Sequence, residues 1–331
     1  MRRVVSSLAA MALLGICAAC AAGGPLPTGA VGAPERPGTP AAVSVTLDLP
    51  GADGERLPTE RWAPEGEAKA VILALHGFGD YGASTFTAAA TYWAEAGVLT
   101  YAPDQRGFGR GPTRGRWPGA AGLAADAVAM AAFLRGRYPD LPLIVVGHSM
   151  GGGVALAAAD PTRADGGLGA DGLVLAAPAI WGGQALNPFH RMAAWTAAFV
   201  APERRFTGEG VVRIQASDNI EVLRALGRDP FYLGPPSARE LLGLVRVTDG
   251  AAAAVEAVRV PSLLLLGEKD EIVPEDRVEA VFLRAPGARD VRRYADGWHL
   301  LFRDLGAEAV WRDVAAFALE LGTEGEVAAG G

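Results

Sequence analysis

Three unbroken apolar stretches constrain this chain more than anything else in it: Val71-Ile72-Leu73-Ala74-Leu75, Leu143-Ile144-Val145-Val146 and Leu263-Leu264-Leu265-Leu266. A strand with one wet face alternates apolar and polar residues, whereas a strand covered on both faces has no need to. Runs of this kind therefore point to a mainly parallel sheet sandwiched between helices. Longer helical stretches separate them, the pattern of successive strand-helix units. Strands are expected near 42–49, 56–63, 70–75, 98–101, 142–147, 172–177, 261–266 and 289–294, and helices over 84–96, 120–137, 150–159, 275–284 and 306–320. Half of the 331 residues are hydrophobic, which is enough for one large core and excludes a mainly disordered chain.

One connection is out of proportion. A parallel crossover needs only a dozen or so residues, yet residues 178–260 lie between the sixth and seventh expected strands. A helical cap over the C-terminal edge of the sheet suits that position, because ligands of open α/β sheets bind there.

The N-terminus has a different character. Met1-Arg2-Arg3 is followed by a run from Val4 to Ala19 that is apolar apart from Ser6 and Ser7, which reads as an export signal. Its end, Ile16-Cys17-Ala18-Ala19-Cys20, resembles a bacterial lipoprotein box in which Cys20 is lipidated and becomes the new N-terminus. Cleavage without lipidation and an uncleaved anchor helix are the alternatives. Five glycines and five prolines occupy positions 23–40, so that stretch can neither propagate a helix nor pair as a strand. The expected organisation is a signal segment over 1–20, a Pro/Gly-rich linker over 21–41, a catalytic-type α/β domain over 42–322 with the cap at about 178–256, and a flexible tail over 323–331. Such a protein would be exported and held by its lipid at the periplasmic face of a bacterial membrane, or else be periplasmic or secreted.

Charge and cysteines remove several function classes. With 37 acidic against 30 basic side chains the net charge is −7, which gives no basis for gripping a phosphate backbone, so nucleic acid is not an expected partner. Cys17 and Cys20 are the only cysteines, and both lie in the leader, so the body holds neither a disulfide nor a thiolate metal site.

Gly147-His148-Ser149-Met150-Gly151 follows a buried strand and opens a helix, the setting of a nucleophile elbow. The spacing has a steric reason: the serine occupies a strained turn, and side chains at the flanking positions would strike the neighbouring strand and helix. A serine hydroxyl is a weak nucleophile and needs a base, which in turn needs an orienting acid. Of four histidines, His148 sits inside the elbow, His76 ends an early strand and His190 lies in the expected cap, which leaves His299 in the loop after the last strand. Asp270, just past the seventh strand, is the acid expected, with Glu268, Glu271 and Asp296 as rivals. The order Ser149, Asp270, His299 matches the elbow's usual sequence of partners.

On the other side of the elbow, His76-Gly77-Phe78-Gly79 follows the third strand. The backbone N–H groups of Phe78 and Met150 would there converge on the oxygen that becomes negative when Ser149 attacks an acyl carbon. The same segment spells Gly77-x-Gly79-x-x-Gly82 after a strand, with Asp104 ending the next one, which also matches a dinucleotide-binding fingerprint. A NAD-dependent oxidoreductase is therefore an alternative, although it leaves Ser149, Asp270 and His299 without a purpose. A non-catalytic lipoprotein that keeps the fold is another.

Taken with Asp104-Gln105-Arg106-Gly107-Phe108-Gly109, Asp229-Pro230, Gly267-Glu268-Lys269-Asp270 with Pro274, and Gly297-Trp298-His299, these motifs resemble the α/β-hydrolase superfamily, and within it the monoacylglycerol lipase and lysophospholipase-like branch related to serine aminopeptidases. The resemblance implies an eight-stranded, mostly parallel sheet with a helical cap inserted between strands six and seven. It also implies no cofactor, and a small-molecule ester substrate with a fatty acyl chain, cleaved through Ser149, Asp270 and His299.

Overall fold

The fold was obtained as a computed structural model that describes residues 44–182, 188–206 and 214–329. The leader, the linker and Cys20 lie outside the described residues, as do positions 330 and 331 of the expected tail.

Eight strands form one sheet: β1 (Ser44–Pro50), β2 (Arg56–Trp62), β3 (Ala70–Leu75), β4 (Val98–Pro103), β5 (Leu143–His148), β6 (Gly172–Ala176), β7 (Ser262–Gly267) and β8 (Ala288–Tyr294). Their spatial order is β1-β2-β4-β3-β5-β6-β7-β8. β1 and β2 pair antiparallel, as do β2 and β4, and every other pairing is parallel.

The continuous apolar runs divide between two cores. Val71, Leu73, Leu75, Val145 and Leu264 join one cluster with Leu123, Val154 and Phe282, while Ile72, Ala74, Ile144, Val146, Leu263 and Leu265 join another with Phe86, Trp93, Val314 and Phe317. Successive side chains of a strand point to opposite faces, so a run without polar members is buried on both. The first core is roofed by helices α2 (Ala120–Arg137), α3 (Met150–Ala158) and α7 (Glu275–Phe282), the second by α1 (Gly82–Glu95) and α8 (Ala307–Ala329).

Helix α8 extends to Ala329, past the expected end near 320 and through most of the segment expected to be a flexible tail. Residues 323–329 (Thr-Glu-Gly-Glu-Val-Ala-Ala) hold no proline, and the helix runs through Gly325 despite the roughly 1 kcal/mol a glycine costs relative to alanine.

The insertion between β6 and β7 is helical. It comprises α4 (Pro188–Val200), α5 (Ile220–Leu226) and α6 (Ala238–Ala254), followed by one short 3₁₀ turn over Val255–Ala257. Helix α6 starts with a reciprocal cap in which the Ser237 hydroxyl accepts from the Glu240 N–H and the Glu240 carboxylate accepts from the Ser237 N–H. Trp117, from the loop between β4 and α2, packs directly on the backbone of α6 at Gly243 and fastens the cap to the body.

Parallel pairing brings the C-terminal ends of β3, β5, β7 and β8 to one edge, with Leu75 beside Gly147 and Gly267 beside Tyr294. The loops that follow these strands hold Phe78, Ser149, Asp270 and His299, and Met150 opens the helix right after Ser149.

Candidate active site

Ser149 occupies the turn between β5 and α3 with φ 52° and ψ −116°, and it is one of two non-glycine residues with positive φ among those described. Such a conformation costs about 1–3 kcal/mol and persists only when its surroundings enforce it. The Ser149 N–H donates to the Ala176 carbonyl, while its own carbonyl accepts from the amides of Gly152, Gly153 and Ala179. The flanking glycines are required for closeness: a Cβ at Gly147 would lie 2.5 Å from the Gly151 carbonyl oxygen, and one at Gly151 would lie 2.1 Å from that of Leu75. The steric reason read from the sequence is the one the packing displays.

His299, in the loop after β8, has its Nε2 2.9 Å from Ser149 Oγ and its Nδ1 2.9 Å from Asp270 Oδ2. A carboxylate only accepts, so Nδ1 carries the proton and Nε2 can accept from the serine hydroxyl. The second oxygen of Asp270 accepts from the amides of Ile272 and Val273, at 2.7 and 3.0 Å, which locks the carboxylate in orientation. All three side chains are buried, with Ser149 7% and His299 4% exposed. Such an array can move a hydroxyl proton onto an imidazole while the oxygen attacks a carbon. The rivals of Asp270 do not reach His299. Asp296 pairs with Lys269 at the surface, Glu271 accepts from the Gln215 amide, and Glu268 is exposed.

Two histidines that elimination set aside also have work here. His148 donates from Nε2 to the His299 carbonyl oxygen at 2.8 Å and so holds the backbone of that loop. Burial, helped by the proximity of His299, pushes its pKa down to about 3, so the ring remains neutral. His76 accepts from the Gln105 amide at Nε2, which assigns the proton to Nδ1, and Nδ1 donates to the Gly77 carbonyl at 2.7 Å. Complete burial lowers its pKa and keeps it neutral as well. In a trans peptide the C=O and N–H point in opposite directions. Anchoring the Gly77 carbonyl therefore aims the Phe78 N–H the other way.

Phe78 lines the same pocket as Ser149 and His299. Neither its amide nor that of Met150, the first residue of α3, is used in any loop or cap hydrogen bond among the described residues. The pocket also has an apolar wall built by Leu223, Leu226 and Tyr232 of the cap with Ile272 and Leu300, and a polar end formed by Asp80 and Arg303. These two are ion-paired and largely buried. Asp304 lies just beyond, accepting from the Ser217 hydroxyl and the Trp298 amide, and burial pushes its pKa up to about 6. The sequence assigned no role to Asp80, Arg303 or Asp304: Asp80 directly follows the His76-Gly77-Phe78-Gly79 motif, and Arg303 and Asp304 sit just past the His299 loop, positions that were the one available signal.

The dinucleotide alternative fails on Asp104. That side chain is fully buried and its oxygens accept from the Gly82 and Arg110 amides and from the Arg110 guanidinium, so nothing is left for a ribose hydroxyl. Gly79 lies beneath the cap, with the position of a Cβ only 2.7 Å from the Leu233 carbonyl oxygen, where a pyrophosphate would have to approach.

Sheet order, cap position and elbow together define an α/β-hydrolase. The family model for serine aminopeptidase, S33, matches residues 66–306, and the chain belongs to that family. It is 31% identical to a monoacylglycerol lipase of Mycolicibacterium smegmatis over 68% of this chain and 78% of that protein. It is 25% identical to a monoglyceride lipase of Rattus norvegicus over 78% of this chain and 85% of that one. A soluble variant of the monoglyceride lipase of Saccharomyces cerevisiae, solved with a substrate analogue, shares the fold at a TM-score of 0.69 and 18% identity, covering 88% of this chain and 99% of its own. The chain is a carboxylic ester hydrolase of the monoacylglycerol lipase-like branch.

Proposed function

We propose that the chain is a serine esterase that cleaves monoacylglycerols by an acyl-enzyme mechanism through Ser149, His299 and Asp270. The observation that carries this reading is the His299 imidazole, 2.9 Å from the Ser149 hydroxyl on one side and 2.9 Å from the Asp270 carboxylate on the other. His299 Nε2 takes the hydroxyl proton as Oγ bonds to the ester carbon, and Asp270 stabilises the imidazolium that results. The Phe78 and Met150 amides stabilise the oxyanion. Collapse of the tetrahedral intermediate breaks the ester C–O bond, and His299 returns its proton to the leaving alcohol. Water then repeats the sequence on the acyl-enzyme, regenerating the serine and releasing the fatty acid.

The lining of the pocket supports the choice of substrate. Leu223, Leu226, Ile272 and Leu300 offer an apolar wall to an acyl chain. The Arg303 guanidinium is ion-paired with Asp80, so the pair has no net charge to offer a phosphate, which favours an uncharged glycerol headgroup over a lysophospholipid. Two relatives named for monoacylglycerol and monoglyceride hydrolysis point the same way. On α4 the exposed rings of Trp195 and Phe199 stack at 5.7 Å with Met192 also exposed, an apolar face suited to a lipid phase. The test compares kcat/KM on long-chain monoacylglycerol, lysophosphatidylcholine and short-chain esters. Long-chain monoacylglycerol is expected to lead, and S149A to lower turnover on the order of 10⁴-fold or more. A strict preference for acetyl or butyryl esters, or for peptides, would refute the substrate assignment.

The same reading takes Cys20 as a lipidated N-terminus that tethers the enzyme, through the Pro/Gly-rich linker, to the periplasmic face of a membrane. Metabolic labelling with a fatty acid alkyne should mark the full-length protein and not C20S; equal labelling of both would refute it.

A further inference from the structure

The loop that carries Phe78 is held on two sides. Beneath it, the Gly77 carbonyl is tied to His76 in the body of the protein. Above it, the Gly79 carbonyl accepts from the Leu233 amide of the cap at 2.7 Å. The Phe78 amide thus lies between one carbonyl anchored by the sheet and one anchored by the cap. Gly79 has φ +78°, and the Leu233 and Tyr232 atoms are close enough that no side chain would fit at that position.

Leu233 belongs to the strap Asp229-Pro230-Phe231-Tyr232-Leu233 that joins α5 to α6. Three side-chain contacts hold the strap in place. Tyr81, two residues after Gly79, donates its hydroxyl to Asp229 Oδ2 at 2.6 Å. The Tyr81 ring meets the Phe231 ring edge to face at 5.9 Å. Arg114 donates to the Pro230 carbonyl at 2.8 Å. The other Asp229 oxygen accepts from the Phe231 amide, which turns the strap toward the loop. The loop and the strap are therefore cross-linked twice within a few residues, once through backbone and once through side chains.

We propose that Tyr81 and Asp229 are positioning residues for the oxyanion amide: their hydrogen bond keeps the strap seated, the seated strap holds the Gly79 carbonyl, and the Phe78 N–H stays aimed at the reacting oxygen. The cap is then part of the catalytic machinery as well as a wall of the acyl site. This rests on the acyl-enzyme reading above and deepens it.

An amide that aims at the oxyanion acts on the transition state common to all esters. Loosening it lowers kcat and leaves KM nearly unchanged, equally for short and long acyl chains. Losing one oxyanion donor outright typically costs 10²–10³-fold, so a donor that is present but poorly aimed is expected to cost roughly tenfold.

The test uses Y81F, D229A, D229N and the Y81F/D229A double variant, with active sites titrated by a fluorophosphonate. Per titrated site, Y81F and D229A should each lose roughly tenfold in kcat. Their affinity for a trifluoromethyl ketone, which Ser149 would convert to a tetrahedral oxyanion, should fall in the same proportion. The double variant should be no worse than D229A alone, because D229A already removes the Tyr81 bond together with the one to the Phe231 amide. D229N should recover most of the activity, since its amide can keep the Phe231 bond with its oxygen and donate from its nitrogen to the Tyr81 hydroxyl. If kcat per titrated site and ketone affinity stay within twofold of wild type in both Y81F and D229A, the positioning role is refuted, whatever happens to melting temperature. A misfolded Y81F would leave D229A to decide, since that change is in a partly exposed strap. Should the wild-type protein itself fail to be labelled at Ser149, the acyl-enzyme reading fails first, a result separable from failure of the strap alone.

Discussion

Replacing Asp270 by Asn changes one atom and tests the geometry of the site sharply. In the wild type, Oδ1 of Asp270 accepts from the Ile272 and Val273 amides, and Oδ2 accepts from His299 Nδ1. An asparagine has one oxygen, and it must face the two backbone donors. The opposite orientation would set an NH₂ group against two N–H groups, leaving both buried donors unpaired at about 1–3 kcal/mol each. The NH₂ therefore faces His299, which can keep a bond only by presenting an unprotonated Nδ1. The proton moves to Nε2, and the nitrogen that should accept from Ser149 is occupied. Fold and pocket are unchanged, yet the base is in the wrong tautomer. An acid lost in this way lowers kcat roughly 10⁴-fold, which corresponds to about 5.4 kcal/mol of transition-state stabilisation. Two assays read it: kcat on a soluble monoester, and ¹⁵N shifts of His299, which should report Nε2–H in D270N and Nδ1–H in the wild type. A variant within tenfold of wild-type kcat, with the wild-type tautomer, would refute the reasoning and turn attention back to Glu268, Glu271 and Asp296.

Three further outcomes follow from single contacts. G151A puts a Cβ about 2.1 Å from the Leu75 carbonyl oxygen, so α3 must move off β3; a loss of about 3 kcal/mol or more is expected by denaturant titration, and a loss under about 1 kcal/mol would contradict the packing. H148L removes the donor to the His299 carbonyl, and stability should fall by about 1–3 kcal/mol with kcat, while a variant as active and stable as wild type would show that the loop needs no such brace. Asp304 has a folded pKa pushed up to about 6, above its usual value of 3.8. Its contribution to stability is full at low pH and is lost as pH rises through about 6, so wild type should lose on the order of 3 kcal/mol relative to D304N between about pH 4 and 7. A difference independent of pH would contradict that burial effect.

The sheet was readable because burial on both faces leaves a mark in the strand itself: Val71–Leu75 and Leu263–Leu266 have no polar member. The elbow was readable because close approach demands glycine at fixed spacing, and the partners of Ser149 because few histidines compete. The cap announced itself only as excess length, and its three helices carry no such mark. What escaped the sequence are contacts between distant segments. His148 to the His299 carbonyl, Asp80 to Arg303 and Tyr81 to Asp229 each join residues far apart in the chain. No local pattern encodes a partner 148 to 223 positions away. The glycine fingerprint at 77–82 shows the converse: a loop that must turn tightly after a buried strand has the same letters whether it approaches a pyrophosphate or an oxyanion.

In the proposed mechanism the acyl group of the substrate passes through the Ser149 oxygen. Rapid acid quench of the enzyme during turnover of a slow acyl ester, followed by peptide mapping of the intact full-length protein by mass spectrometry, reads this directly. The expected result is an acyl mass on the peptide containing Ser149 that rises and decays within the turnover time and is missing in S149A. An acyl mass on another residue, or burst kinetics that persist in S149A, would contradict it.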